Sequence, residues 1–207
     1  LALSLPVSLE ALVDLSKWLL LIIIIGQQGE AVLATANIIF GCYGLFLISI
    51  ESFSETVCST VSNLIGQRQG QALQLLIGRS ILLSYLMVAP LLFISLVFPE
   101  LVLSIFTPAP ALMQAALPGL LVILLATLVA VPGENIYSAV AGTGDTRVLL
   151  GIQVLVSLTI LVSAAVAALR FGLALEYILL AEVLGWLTCL VLSWVWFNSG
   201  LWRRLEV

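Results

Sequence analysis

The chain has 207 residues, of which 62% are apolar and only 9% charged, with a net charge of -4 and a mean hydropathy of +1.26. A soluble domain is about 25% charged, and a fold of this length leaves about a third of its unfolded chain's surface in water, so this much Leu, Ile and Val needs a lipid bilayer as solvent and partner. Seven basic against eleven acidic residues, with no Lys or Arg run able to follow a phosphate backbone, speak against nucleic acid as a partner.

A helix needs about 20 apolar residues to cross the hydrocarbon, and runs of that length occupy 3–25, 32–57, 75–98, 112–141, 148–169 and 173–197. Closed β-barrels would show short alternating segments instead. The expected fold is therefore all-α, a polytopic bundle of six transmembrane helices forming one unit over 1–207. Turn chemistry separates the runs: Gly26-Gln27-Gln28-Gly29, Gly66-Gln67-Arg68-Gln69-Gly70, Pro108-Ala109-Pro110, Gly142-Thr143-Gly144-Asp145 and Arg170-Phe171-Gly172. The first residue is Leu, and the first run carries charges that no signal-peptide core tolerates, so the chain reads as a mature segment or a fragment.

An Asp, Glu or Lys at the centre of an inserted helix costs on the order of 2.5–3.5 kcal/mol, so such residues face a bundle interior or a watery cavity. On the first helix Glu10, Asp14 and Lys17 stand at i, i+4 and i+7, within an arc of about 60°. The second helix repeats the arrangement with Glu51, Glu55, Cys58 and Ser62 on one face. Two carboxylates one turn apart repel when both are ionised, so one of them is expected to hold a proton. On the fourth helix Glu134 follows Pro132 and Gly133, and Pro132 leaves the carbonyl four residues earlier without its amide partner. A broken helix bordering an ion site is the expectation there. The last helix adds Glu176, read as solvated at the outer interface, and Glu182 one to two turns deeper.

The candidate residues for proton or cation coupling, or for substrate, are thus Asp14, Glu10, Lys17, Glu134, Glu51 and Glu55. The plainer alternatives are that Lys17 only neutralises Asp14, and that Glu51 and Glu55 sit among headgroups because the second helix ends early. Cys42, Cys58 and Cys189 lie far apart in apolar stretches of a chain without His, and read as small core hydrophobes rather than metal ligands. With no GxSxG, HExxH or nucleotide-binding loop, no catalytic residue and no cofactor beyond a coupling proton or sodium ion is expected.

Arg68, Arg79, Arg147, Arg203 and Arg204 all fall on the side that holds the termini if both are cytoplasmic, against Arg170 alone on the other side. Trp194, Trp196 and Trp202 cluster at the same end, and Trp202-Arg203-Arg204 reads as an interfacial anchor.

Four segments carry a family likeness. Leu5-Pro6 followed at seven residues by Asp14 resembles the seventh helix of the multidrug and toxic compound extrusion (MATE) family, where a carboxylate follows a proline at that distance. Gly66-Gln67-Arg68-Gln69-Gly70 is similar to the family's loop after the eighth helix, Ala141-Gly142-Thr143-Gly144-Asp145-Thr146-Arg147 to its loop after the tenth, and Asn198 to Arg204 to its carboxyl terminus. The order and separation of these segments match along nearly the whole chain. The resemblance implies one six-helix lobe of a two-lobe transporter, with the N-terminal six-helix lobe missing here. It implies export of organic cations or other amphipathic, drug-like solutes from the cell across the plasma or inner membrane, in exchange for protons or sodium ions. It also places Asp14 on the family's cation-binding carboxylate, whereas the partner carboxylate does not carry over: its position falls at about Ala130, and the nearest acid, Glu134, is one turn further toward the cytoplasm. A Lys17–Asp14 pair would stand in for a bound sodium ion. The competing expectations are a flippase for lipid-linked saccharides, which would line its cleft with Arg and Lys, and a membrane scaffold or assembly subunit that transports nothing.

Overall fold

The computed structural model describes residues 4–202. Arg203 and Arg204 of the expected anchor therefore lie outside the described residues. Seven α-helices follow one another within the described residues: α1 (Ser4–Gly26), α2 (Glu30–Gly66), α3 (Leu73–Val97), α4 (Pro99–Ser104), α5 (Pro110–Gly142), α6 (Thr146–Ala165) and α7 (Leu175–Asn198). A single 3-10 turn precedes α3, and a π-helical turn, Val166–Arg170, prolongs α6. The six long helices alternate in direction through short connections, so Gly66, Gly142 and Asn198 share one end of the bundle and Gly26 and Leu175 the other.

Five of these helices are long and apolar enough to cross a membrane: α2, α3 with its preceding turn, α5, α6 with its π turn, and α7. Glu10, Asp14 and Lys17 keep α1 out of that set although it has 23 residues. α1 packs beside these five and turns its polar stripe toward its neighbours.

The helices depart from the sequence reading in three places. α2 does not stop at 57 but runs to Gly66, and its 37 residues rise about 55 Å against a hydrocarbon core of about 30 Å. Glu51 and Glu55 therefore stand well inside a continuous helix rather than at its end. α5 is not broken: it passes through Pro118 and Pro132 without interruption. The carbonyl that Pro132 frees is Leu128 O, and the Tyr85 hydroxyl on α3 donates to it at 2.6 Å. Finally, the connection before α5 contains α4, which begins on Pro99 and buries Val102 and Leu103.

α5 is the hub, packed between α2 and α7, apolar on most of its surface and polar at Glu134, Asn135 and Ser138. Small residues set its distances: a Cβ on Gly142 would lie 2.6 Å from Cys58 O on α2. Likewise α7 approaches α6 at Gly185, where a Cβ would collide with the Ile160 side chain. Toward the Gly26 end Ile39, Tyr43, Leu103, Leu120 and Ile123 form a core in which none is more than 1% exposed. Turns between helices use left-handed glycines, Gly29 at φ 115° and Gly144 at φ 83°, which any side chain would strain. Asp145 then caps α6 by accepting from Val148 N at 3.3 Å. Trp202 does not stand free as an anchor; it stacks on Phe197, ring centroids 5.8 Å apart, and is buried.

Candidate functional site

Between α1, α2, α5, α6 and α7 lies a cavity of about 450 Å³, in the half of the bundle toward the Gly66 end. Its walls follow from helical spacing. Glu10, Asp14 and Lys17 present the stripe of α1; Glu51, Ser54, Glu55 and Cys58 the facing stripe of α2; Glu134, Tyr137, Ser138 and Ala141 one face of α5. α6 adds Gln153, and α7 adds Glu182, Trp186 and Cys189. All six residues singled out from the sequence thus meet on one surface, with Glu182 as a further acid. The cavity carries six carboxyl groups against the single ammonium of Lys17.

Hydrogen bonds divide the carboxyl groups into distinct environments. Lys17 Nζ pairs with Asp14 Oδ1 at 2.6 Å, and this is the one ion pair among the described residues. Gln153 Nε2 donates to the same Asp14 oxygen at 2.8 Å, tying α6 to α1. The Tyr137 hydroxyl donates to Glu10 Oε1 at 2.7 Å, tying α5 to α1. Glu134 Oε1 accepts from Ser54 on α2 at 3.2 Å and from Ser138 one turn along α5 at 3.4 Å. Glu51 and Glu55 are exposed. Glu182 is 3% exposed, and its Oε1 has no hydrogen-bond partner among the described residues.

Aromatic rings close the inner end. Trp18 packs edge-on against Phe40 with centroids 5.3 Å apart, and the Lys17 ammonium sits 4.9 Å from the Trp18 ring centroid. Trp186 Nε1 donates to the Tyr43 hydroxyl. The arrangement can hold a cation, or protons distributed over several carboxyl groups, between faces of Trp18 and Trp186 that would accept an apolar cationic body.

The outcome for individual residues differs. Lys17 does pair with Asp14, as the plainer reading had it, but it does so on the cavity wall and not out of its way. Cys42 and Cys189 are core residues as expected, Cys189 at the cavity's edge, whereas the half-buried Cys58 lines the cavity. Glu176 is half-buried in the first turn of α7, away from the cavity. Gln153, Tyr137, Ser54 and Ser138 were absent from the sequence-derived set. Gln153 is one polar residue inside an apolar run and Ser54 one hydroxyl among several beside Glu51 and Glu55, patterns shared by many residues that merely bond their own helix, such as Thr127 to Ile123 O. Glu182 had the stronger signal, an acid deep in a membrane helix.

The sequence profile of the MatE family matches residues 6–158. Among solved structures, a MATE transporter of Vibrio cholerae superposes with a TM-score of 0.86 at 16% identity, over 97% of this chain and 46% of that one. A MOP superfamily transporter from Pyrococcus furiosus gives 0.83 at 18% identity, over 95% and 44%. An outward-facing multidrug resistance MATE family transporter gives 0.83 at 18% identity, over 99% and 45%. The chain thus spans a little under half the length of these proteins. No curated protein matches its sequence.

Proposed function

The chain belongs to the MatE family, and on that premise we propose that it forms one lobe of a secondary antiporter that exports organic cations or other drug-like solutes in exchange for protons or sodium ions. A second six-helix lobe supplies the other wall of the cleft, and the membrane is the plasma or inner membrane with both termini cytoplasmic. The observation that carries the reading is the convergence of Asp14, Glu10, Glu51, Glu55, Glu134 and Glu182 on one cavity inside the bundle, with Lys17 as its single base. A cavity so charged favours protons and cations over an anionic lipid-linked saccharide, which supports the antiporter above the flippase.

Mechanistically, exchange needs groups whose charge state differs between the inward-open and outward-open populations, because a ligand shifts an equilibrium only by its differential affinity for the two states. We assign this role to Asp14. It is 41% exposed at its side chain, reachable from the cavity, and its oxygen already holds an ammonium. Binding of a proton or cation there competes directly with Lys17.

The test uses the full-length protein carrying Asp14→Asn together with Lys17→Met, so that no buried ammonium is stranded. Membrane insertion and expression should stay at the parental level while proton-driven efflux of a cationic dye is lost. Efflux at the parental rate would rule out Asp14 as a coupling group. Orientation is checked separately: with Cys42, Cys58 and Cys189 replaced, a cysteine at Pro108 should be labelled from outside the cell and one at Thr143 should not.

A further inference from the structure

Two charged groups on the cavity are unevenly served. Lys17 is 8% exposed, yet its one ion-pair partner among the described residues is the half-exposed Asp14, which also has Gln153 as a donor. Glu182 is the reverse case. It is the more deeply buried acid, its Oε1 lacks a donor among the described residues, and it lines the same cavity as Lys17.

The remaining acids do not compete for the ammonium on the same footing. Glu10 is held by Tyr137 and Glu134 by Ser54 and Ser138, while Glu51 and Glu55 are exposed. A buried carboxylate oxygen without a donor costs the full desolvation of that group. An ammonium on a flexible four-carbon stem has three donors and is compact enough to serve more than one acceptor in turn.

We propose that Lys17 is a two-position cation shared between Asp14 and Glu182, so that Glu182 is its second acceptor and the cavity carries its own tethered ammonium. When a proton or a ligand cation occupies Asp14, the hold on Lys17 falls and the ammonium turns to Glu182. The exchange converts a contact within α1, three residues apart, into one that links α1 to α7. Occupancy of Asp14 is thereby transmitted to a helix that Asp14 itself does not bond. Its use in exchange rests on the transport reading above. The sharing itself does not.

Stability, rather than transport, therefore reads it. Thermal unfolding of the purified protein in detergent micelles is compared for Asp14→Asn, Glu182→Gln and the double variant. Each single change should lower the midpoint only slightly, because the remaining carboxylate takes the ammonium. The double variant should fall further than the sum of the single losses, by on the order of 5 °C, or yield no folded protein. Adding Lys17→Met should remove that excess or restore folding. Additive losses would overturn the proposal, and so would an excess that persists with Lys17→Met. Loss of dye efflux in any of these variants bears on the transport reading alone.

Discussion

Toward the Gly26 end, α2 and α5 close on each other through Ile39, Tyr43, Leu120 and Ile123, each at most 1% exposed. Toward the Gly66 end the same two helices stand apart around about 450 Å³ and face each other with Glu51, Glu55 and Glu134. They meet again at Gly142, where Ser62 on α2 donates to Gly142 O at 2.8 Å. The same pair of helices thus provides a dry clamp, a wet chamber and a second clamp in succession. Interlocked apolar side chains fix helix distances because interiors are close-packed and resist volume changes. Acids tied to the next helix through a single hydroxyl, as Glu134 is to Ser54, leave neighbouring helices freer to exchange partners.

The comparison breaks first at the second clamp. Gly142→Ala places a Cβ 2.6 Å from a backbone oxygen that has no rotamer to yield, so α5 must leave α2. Folded protein, measured as the monodisperse fraction in gel filtration, should nearly vanish. Gly151→Ala, where nothing lies within 4 Å, should be neutral or gain up to about 1 kcal/mol from helix propensity. Equal behaviour of the two variants would mean that the approach at Gly142 is not what holds the helices.

At the dry clamp, Leu120→Ala removes a fully buried side chain and should destabilise the protein by about 2–5 kcal/mol in reversible unfolding, with dye efflux preserved at temperatures where it stays folded. In the chamber the pattern should invert. Glu134→Gln keeps the shape and an acceptor for Ser54 and Ser138, so stability should move by less than about 1 kcal/mol while the pH dependence of efflux changes. A large stability loss there would show the chamber to be structural. Tyr85→Phe, which takes the donor from the carbonyl freed by Pro132, should cost about 1 kcal/mol by the same unfolding measurement and leave the pH dependence of efflux unchanged.

Several of these features were legible in the chain before folding. The spacing of Glu10, Asp14 and Lys17 gave a single stripe because 3.6 residues per turn leave no alternative once a helix forms, and the structure keeps all three on one wall. α2 was read too short because Glu51, Glu55 and the hydroxyl residues after them lower hydropathy, which marks a helix end as readily as a polar face. Pro132 was read as a break because its own geometry demands a missing hydrogen bond; Tyr85, 43 residues from Leu128 in sequence, supplies the replacement.

What the sequence determined by itself were the properties that depend on near neighbours: lipid as solvent, six long helices, the faces on which their charges lie, and the turns at Gly29 and Gly144. What the tertiary structure alone decided is which faces meet. Tyr137 reaches Glu10 across 127 positions and Gln153 reaches Asp14 across 139, while Glu182 is left without a donor for Oε1. Helical periodicity fixes a side chain's direction about its own axis. The rotation of one helix against another is set by close packing at residues such as Gly142 and Gly185, and that packing exists only once the helices have come together.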